Sequence, residues 1–307
     1  MKLVFFGNPK FASDSLEFLI NKNYNIELII TNPDKKQGRG QKLSPSNVKL
    51  IANKYKQKVF EINSLNNEKL IKKLHSINPD IAIVVAYKYI PKNIFTIPKI
   101  ATINLHASIL PKYIGASPIQ YTLLNGDKTS GLTTFVVNEK IDEGKIIYQK
   151  KIPIDDKTTY DSLYKELSSL GGEVLDKSIN LLKNKHPLKT QDIKNKVLAP
   201  KIKKEDFIID WNNSAINIHN QIRALSYKGA FSKINGKRIK FFETYFINKT
   251  KNNINLKYPG DFIIKDTIYI KTGRGYLIVN KIQIEGKNIT NVNKISSNSL
   301  FNKNKFK

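Results

Sequence analysis

Residues 3–30, LVFFGNPKFASDSLEFLINKNYNIELII, contain two apolar runs of strand length separated by a helical pattern. The two runs are Leu3 to Phe6 and Ile26 to Ile30. Between them, apolar residues recur on one helical face, at Ala12, Leu16, Leu19 and Ile20. Two strands joined in this way form a parallel pair, because parallel strands need a long crossover that is usually helical. The stretch therefore predicts an α/β protein.

The same alternation continues toward Ile81 to Val85, a third run of strand length. Two further helical faces precede it, the first at Val48, Ile51, Ala52 and Tyr55 and the second at Leu70, Ile71, Leu74 and Ile77. We therefore predict a Rossmann-like, mostly parallel sheet that binds ligands beyond the carboxyl ends of its strands. Residues 7–12 contain a single glycine where the dinucleotide fingerprint needs three, and a Walker-type loop is also missing.

The composition limits the classes of protein further. With 307 residues and 40% hydrophobic content, the chain can form a large core and two domains. It has no Cys, which excludes disulfides, zinc–thiolate sites and thiol nucleophiles and favours a reducing compartment. The longest apolar stretch, residues 81–87, is much shorter than the roughly 20 residues of a membrane span. We expect a cytoplasmic protein with no membrane partner.

The charge balance is strongly basic, with 52 Lys and Arg against 25 Asp and Glu. A net charge of +27 attracts nucleic acid or an anionic membrane surface. The alternative interpretation is a set of plain solvated lysines, since the chain is rich in Lys, Asn and Ile. An Arg retained in such a chain is expected to need its planar donor fork. The arginines are Arg39, Arg223, Arg238 and Arg274.

The second half of the chain changes pattern twice. A capping box of Thr158 with Asp161 is expected to open a long helix, which Gly171 and Gly172 would bend or divide. The periodicity is then lost in a lysine-rich stretch with two prolines. These changes predict a first domain over residues 1–184 and a basic linker over residues 185–206.

Residues 207–307 are predicted to form a second, smaller domain. A short helix at residues 215–225 is followed by strand-like segments that glycines punctuate. This pattern is typical of a small β-barrel, and a barrel of oligonucleotide-binding (OB-like) type would suit the basic surface.

Residues 101–108, ATINLHAS, hold the most reactive side chains of the chain. Asn104, His106 and Ser108 alternate with apolar residues as in a strand, so all three are expected to face one cleft. An amide can donate to a developing oxyanion, and an imidazole can exchange a proton near neutral pH. The alternative is an ordinary half-exposed strand.

A histidine that acts on an amine needs a carboxylate to orient its ring. Asp142 is the leading candidate, in a turn-like segment between two strand-like runs. Glu139 and Glu143 compete with it, and spacing alone cannot choose among the three.

Residues 108–119, SILPKYIGASPI, follow the Asn-x-His motif and resemble the signature of the folate-dependent formyltransferases. The resemblance extends over nearly the whole chain. It includes the Gly7-Asn-Pro-x-Phe11-Ala12 opening, Pro33-Asp34 with Gly38-Arg39-Gly40, Val84 to Tyr87, Asp142-x-Gly144 and the basic C-terminal part. The Gly-Arg-Gly loop and the C-terminal part resemble the members that act on tRNA.

This resemblance implies that Asn104, His106 and Asp142 are catalytic. The implied reaction is attack by the amino group of methionine, carried by initiator methionyl-tRNA, on the formyl carbon of 10-formyltetrahydrofolate. Asn104 and protonated His106 would stabilise the oxyanion. Two alternatives stay open: a formyltransferase or hydrolase acting on a small molecule, such as a sugar nucleotide, and a non-enzymatic RNA-binding protein of the same fold.

The resemblance also assigns binding residues. The residues expected to contact the folate are Val85, Ala86, Tyr87, Ser108, Ile109, Leu110 and Pro111. Those expected to contact tRNA are Lys35, Lys36, Arg39 and Lys42 in a polar loop, and Lys203, Lys237 and Arg238 further along. We expect a monomer. No metal is predicted, because His75, His186 and His219 are scattered and form no paired-His motif.

Two positions depart from the family pattern. Ile114 stands where an Arg is usual, and Lys88 stands where a Gly is common. Neither position belongs to the proposed catalytic trio, so both are expected to affect substrate affinity and not the reaction.

Overall fold

The computed structural model describes residues 1–37, 40–248, 254, 256–294, 299–302 and 305–306. The chain forms two compact units. The first unit comprises Met1–Pro118, Thr129–Pro153 and Tyr164–Pro200, and the second comprises Ile119–Lys128, Ile154–Leu163 and Lys201–Lys307. The division into residues 1–184, 185–206 and 207–307 stays a prediction. No helix among the described residues has the length and apolar character of a membrane span.

In the first unit, the described residues form eleven strands. They are β1 (Leu3–Gly7), β2 (Ile26–Thr31), β3 (Lys35–Gln37), β4 (Lys42–Ser44), β5 (Val59–Glu61), β6 (Ile81–Val85), β7 (Ala101–His106), β8 (Lys112–Ile114), β9 (Thr129–Val136), β10 (Ile146–Pro153) and β11 (Val197–Leu198). Seven of them form one sheet in the order β10-β9-β7-β6-β1-β2-β5. The five strands from β7 to β5 in that order run parallel to one another. Strand β9 pairs antiparallel with both of its neighbours, β7 and β10. The predicted mostly parallel sheet is confirmed.

Most of the described helices fall where the sequence patterns predict them, whereas those at residues 92–95 and 118–124 were not predicted. The helices are α1 (Lys10–Asn21), α2 (Asn47–Lys54), α3 (Glu68–Ile77), α4 (Lys92–Phe95), α5 (Pro118–Leu124), α6 (Tyr160–Lys183) and α7 (Ala215–Ala224). Ser46 and Asn67 cap α2 and α3 by accepting backbone N–H bonds. Strands β1, β2 and β6 are almost wholly buried, as expected for a sheet covered on both faces.

Helix α6 begins one residue later than predicted. The hydroxyl of Thr159 accepts the backbone N–H of Ser162 in the first turn of the helix, and Ser162 Oγ in turn accepts from the N–H of Thr159. The Thr158 hydroxyl accepts the N–H of Asp155, which lies before the helix. Thr158 also donates its hydroxyl to Asp155 Oδ1, 2.8 Å away. The predicted capping box with Asp161 is therefore wrong, because a local turn already uses the Thr158 side chain.

The helix is also unbroken at its two glycines. A Cβ on Gly171 would lie 2.4 Å from Ser15 Oγ, and one on Gly172 would lie 2.3 Å from Phe18. Both of these residues belong to α1. The glycines thus allow α6 to approach α1 closely, and the predicted division of the helix is wrong.

The polar loop predicted over residues 31–42 contains a β-hairpin. Strands β3 and β4 pair antiparallel, so their backbone N–H and carbonyl groups form hydrogen bonds with each other. This pairing does not require either strand to have a buried face. At its base, Lys49 Nζ contacts Asp34 Oδ1 at 2.7 Å and Glu61 Oε1 at 2.9 Å. Arg39 lies outside the described residues.

The second unit contains an antiparallel sheet of six strands. They are β12 (Ala230–Ile234), β13 (Lys237–Ile247), β14 (Phe262–Ile264), β15 (Ile268–Lys271), β16 (Tyr276–Ile284) and β17 (Ile289–Asn291). The main path is β12-β13-β16-β15-β14, and β17 pairs with β16. Among the described strands, β12 and β14 are not paired with each other, so the predicted barrel is confirmed as a curled half-barrel. Trp211, Phe241, Phe262 and Phe306 fill its core.

Helix α7 carries the buried polar side chains of Arg223 and His219 in this unit. Arg223 is 2% exposed and donates to Asn220 Oδ1 and to the carbonyls of Leu123, Asp155 and Thr158. His219 is 5% exposed. Its Nε2 lies 2.8 Å from the Asp156 carbonyl and therefore carries the proton, so Nδ1 accepts from Thr244 Oγ1 at 2.9 Å. The site fits a neutral imidazole.

Acid should destabilise the second unit through His219. Burial lowers the pKa of His219 below its ordinary value of 6.5, and neighbouring Arg223 adds to this effect. The unfolded chain therefore binds the proton first as pH falls through about 6.5, and stability is lost at up to about 1.4 kcal/mol per pH unit below that point. Denaturant unfolding from pH 7.5 to 5.5 should show this slope, and His219→Gln should flatten it. His186→Gln, at an exposed position, should retain the wild-type slope; a slope that survives His219→Gln contradicts the assignment.

Candidate active site

The candidate site lies at the carboxyl edge of the parallel strands. Strand β7 is paired with β6 on one side and β9 on the other, so Asn104 is level with Val84 and Phe135. Strands β6 and β7 end together at Val85 and His106. This edge is where ligands of open α/β sheets bind.

Asn104 is the half-buried residue of an otherwise buried strand. Among the residues that the structure describes, no protein group accepts a hydrogen bond from its amide. Both amide hydrogens are therefore available to a substrate at the edge of the sheet.

His106 is fixed by one ring nitrogen. Its Nε2 lies 2.8 Å from the carbonyl oxygen of Tyr113. A carbonyl only accepts, so Nε2 carries a proton whatever the charge of the ring. The nitrogen that gains or loses a proton is consequently Nδ1.

Asp142 faces that second nitrogen. Its Oδ2 lies 3.7 Å from His106 Nδ1. Both side chains are almost buried, with 13% of the Asp142 side chain and 7% of the His106 side chain exposed. The same oxygen accepts the backbone N–H of Gly115 at 3.0 Å. A carboxylate held in this way stabilises a protonated ring.

The two competing glutamates have other partners. Glu139 Oε1 lies 2.7 Å from Lys92 Nζ, and both side chains are exposed. Glu143 Oε1 lies 3.0 Å from Lys196 Nζ. Of the three carboxylates that spacing left open, the structure brings Asp142 to His106, in agreement with the resemblance.

Ser108 does not join the group, contrary to the expectation that it faces the same cleft. It is 1% exposed, and its hydroxyl donates to the carbonyl of Lys112 at 2.6 Å. Its own carbonyl accepts from Thr133 Oγ1 at 2.7 Å. Because β7 ends at His106, the strand alternation no longer sets the direction of Ser108. Ser108 instead holds β8 in place, as His106 does.

The other residues expected to contact the folate differ in exposure. Val85 and Leu110 are buried, whereas Ala86 is exposed and Tyr87, Ile109 and Pro111 are half-buried. The hydroxyl of Tyr87 is buried and has no hydrogen-bond partner within the described chain. Burial raises the pKa of Tyr87 to about 12, so this hydroxyl is a protonated donor at neutral pH.

Three residues at this edge have a left-handed backbone without being glycine. They are Ala86 (φ 45°), Tyr113 (φ 67°) and Asp142 (φ 55°). Each costs on the order of 1 kcal/mol, and such strain concentrates at functional sites. The sequence showed no sign of it.

The predicted tRNA-contacting residues lie on the surface of each unit. Lys35, Lys36 and Lys42 are exposed on the hairpin of the first unit. In the second unit, Lys203, Lys237 and Arg238 are exposed, and the Arg238 guanidinium lies 4.7 Å from the Phe231 ring centroid.

The two departures from the family pattern have structural partners. Ile114 is buried in a small cluster with Leu110, Phe135 and Ile146. Lys88 Nζ donates to the carbonyl of Asn63, and burial lowers the pKa of Lys88. Both side chains therefore stabilise the segments that border the site.

Sequence reasoning missed Gly115 and Gln191, which hold Asp142. Gly115 appeared only as part of a motif, and Gln191 lay in a stretch interpreted as a linker. No described group of three or more His, Asp or Glu side chains is arranged to bind a metal ion.

Comparison with known proteins defines the class to which this fold and site belong. Residues 1–179 match the formyl transferase family, and residues 201–299 match the formyl transferase C-terminal domain. The N-formyltransferase of Helicobacter canadensis, solved with folinic acid and dTDP-3-aminofucose, has a similar fold, with a TM-score of 0.69 at 24% identity over 91% of this chain and 98% of that one. The protein is thus an enzyme of the formyltransferase class.

Closer relatives define the family within this class. The methionyl-tRNA formyltransferase of Thermodesulfovibrio yellowstonii is 37% identical over 98% of this chain and 96% of its own length. The solved methionyl-tRNA formyltransferase of Clostridium thermocellum has a TM-score of 0.56 at 18% identity, over 81% of this chain and 94% of that one. The chain belongs to the methionyl-tRNA formyltransferase family.

Proposed function

We propose that this chain transfers the formyl group of 10-formyltetrahydrofolate to the amino group of methionine on initiator methionyl-tRNA, with Asn104, His106 and Asp142 as its catalytic residues. One observation carries the proposal: the Asp142 carboxylate faces His106 Nδ1 at the strand end where the Asn104 amide has no described protein partner. A cytoplasmic location belongs to the same proposal, since translation takes place there.

The folate fits the groups that border the trio. When bound, 10-formyltetrahydrofolate supplies the formyl carbon. Tyr87 offers a protonated hydroxyl that lacks a partner in the described chain, and the neighbouring Ala86 is exposed. Ser108 and Leu110 have buried side chains, so we assign their contribution to the backbone of the segment that they hold.

Asn104 stabilises negative charge on the formyl oxygen. Its amide hydrogens are preorganised at the end of a buried strand, so little reorganisation is needed as charge develops. The donor matters more in the transition state than in the ground state, because the oxygen gains charge as the amine adds.

His106 moves the proton through Nδ1. The Tyr113 carbonyl fixes the ring by holding Nε2–H, and Asp142 supports the positive ring that forms when Nδ1 is protonated. The amine loses a proton as it becomes an amide, and the nitrogen of tetrahydrofolate gains one as its bond to the formyl carbon breaks. Nδ1, the ring nitrogen that the Tyr113 carbonyl does not hold, takes the first proton and returns it to the leaving nitrogen.

The RNA part of the substrate is recognised by basic side chains. Lys35, Lys36 and Lys42 are exposed on the β3–β4 hairpin. The resemblance assigns Arg39, which lies outside the described residues, to the acceptor arm. Lys203, Lys237 and Arg238 offer further cations on the second unit. Relatives at 37% identity that are named methionyl-tRNA formyltransferases favour this substrate over a sugar nucleotide.

The direct test is to incubate the protein with 10-formyltetrahydrofolate and charged initiator tRNA and to measure formylmethionine. Aminoacylated elongator tRNA and an amino-sugar nucleotide are the comparison substrates. Formylation of the initiator tRNA supports the proposal. Turnover confined to the sugar nucleotide, or tRNA binding without turnover, would overturn it.

The affinity for tRNA should fall steeply with salt. Each neutralised phosphate releases counterions, so Lys237→Ala and Arg238→Ala should each reduce the slope of log K against log salt by about one. The slope is measured by equilibrium binding at several salt concentrations. Lys69→Ala, on the exposed side of α3, serves as a control that should keep the wild-type slope. Unchanged slopes in both variants would show that these side chains do not contact RNA.

A further inference from the structure

Residues 189–199, which we call the strap, fall in the predicted linker. They belong to the first unit and form backbone hydrogen bonds with other segments of it. At one end, Lys189 and Ile146 exchange backbone hydrogen bonds of 2.8 and 2.9 Å. At the other end, β11 pairs with β8, and the N–H of Ala199 donates to the carbonyl of Ile114 at 2.7 Å. The strap therefore contacts both segments that position the Asp142 carboxylate. One is the turn at residues 142–144 with the start of β10 that follows it, and the other is the segment ending in Gly115.

The Gly115 segment fits closely against the strap. Gly115 has φ +123°, and a Cβ there would lie 2.8 Å from the Ala199 carbonyl oxygen. The same carbonyl accepts the N–H of Ser117 at 3.1 Å. The strap thus sets the position of the N–H that Gly115 donates to Asp142.

Gln191 lies between these two ends and reaches the Asp142 turn. Its side chain is 6% exposed. Nε2 donates to the Asp142 carbonyl at 2.8 Å and to the Gly144 carbonyl at 2.7 Å. Both hydrogens of one amide are therefore used on a single turn.

This turn has little freedom of its own. Asp142 has a left-handed backbone, and a Cβ on Gly144 would lie 1.7 Å from the Val136 carbonyl oxygen. A backbone under such strain keeps its conformation only where the surroundings hold it. Gln191 supplies two of those restraints.

The oxygen of the Gln191 side-chain amide indicates that the two N–H donors are the reason for an amide at this position. Oε1 is buried and has no partner within the described chain. An apolar side chain at this position would leave no unpaired oxygen, so the amide is costly unless its donors are needed.

We propose that Gln191 is a positioning residue for formyl transfer: its amide holds the turn at residues 142–144 so that the Asp142 carboxylate faces Nδ1 of His106. The inference rests on the proposed function, since it acts through the proposed catalytic trio. Gln191 contacts neither the reacting atoms nor His106 itself. Its effect should therefore appear in the rate of the chemical step and not in substrate binding.

Gln191→Met removes both donors and keeps the length of the side chain. A shift of the carboxylate by about 1 Å can cost up to a hundredfold, so we expect kcat to fall by about tenfold or more. KM for folate and for methionyl-tRNA should stay within about twofold. Asn195→Ala is the matched control, because this strap amide donates to Asp192 Oδ2 and to no group of the turn. Wild-type kcat in folded Gln191→Met would overturn the proposal.

A double-mutant cycle separates positioning from a general structural role. In an Asp142→Asn background, Gln191→Met should cause no further loss of kcat, because the group through which it acts is already lost. Losses that multiply would contradict the proposal. Gln191→Glu, which keeps the shape but replaces the donor nitrogen by an acceptor, provides the same comparison should the Met variant not fold.

The ring signals of His106 in NMR spectra give a readout that does not depend on turnover. They should move in Gln191→Met and stay unchanged in Asn195→Ala. If the wild-type protein forms no formylmethionine while His106 responds to Gln191→Met, the proposed function fails and the positioning role stands. If the wild-type protein is active and neither kcat nor the His106 signals respond, the positioning role fails alone.

Discussion

Asn104→Ala should reduce the turnover of formyl transfer by about a hundredfold or more. Loss of one preorganised oxyanion donor costs about 2.7–4 kcal/mol of transition-state stabilisation. The affinity for folate should be nearly unchanged, because the amide acts on charge that exists only as the amine adds. Single-turnover rates with saturating substrates, together with folate binding by titration, measure the two quantities separately.

Asn25→Ala is a suitable control for this variant. Asn25 precedes β2 at the amino edge of the sheet, and its amide donates to Glu27. We expect wild-type turnover from it. Near-normal turnover in Asn104→Ala would refute the oxyanion role, and a matched loss of folate affinity would indicate a binding role instead.

The second large effect is expected at Arg223, where the substitution by Lys keeps the charge and should still destabilise the second unit. The guanidinium donates to the Asn220 side chain and to three backbone carbonyls. A lysine presents its donors from one point and cannot reach all four acceptors. Each buried acceptor left unpaired costs about 1–3 kcal/mol, so we expect a loss of about 2–4 kcal/mol in the free energy of unfolding.

Arg238→Lys provides the comparison for Arg223→Lys. Arg238 is exposed, and we expect its substitution to change the free energy of unfolding by no more than about 0.5 kcal/mol. Denaturant unfolding followed by the fluorescence of Trp211 reports on the second unit, because this residue is the sole tryptophan of the chain. Equal stability of Arg223→Lys and the wild-type protein would show that the planar fork is not required.

Arg223 also illustrates how composition carried information. In a chain whose ordinary cation is Lys, a retained Arg was expected to need its donor geometry, and Arg223 uses its donors on four acceptors. The sequence could not place those acceptors, because Leu123 and Asp155 are far from it along the chain. It also could not reveal that the donors of this residue hold together segments of the second unit.

The sequence was least informative where a side chain chooses among local partners. Thr158 was expected to cap α6, but it bonds to Asp155, and Thr159 takes the cap. Ser108 was expected to face the cleft, but it bonds to the Lys112 carbonyl. In both cases two hydrogen-bond partners lie within a few residues of the hydroxyl. The difference in free energy between the two hydrogen bonds is too small to be read from a sequence pattern.

By itself, the sequence determined the α/β sheet, helices α1, α2, α3, α6 and α7, the small β-domain that follows and the Asn104-x-His106 motif. These features follow from local periodicity and from residue types that bury or expose one face, which neighbouring residues are enough to specify. Spacing left Glu139 and Glu143 open, and the resemblance chose Asp142. Only the tertiary structure showed that Asp142 faces His106 and that Gln191 and Gly115 hold it there. Those contacts join residues 27 to 49 positions apart. Their distances depend on how the strap and the turns fold over the sheet, and no spacing along the chain encodes that.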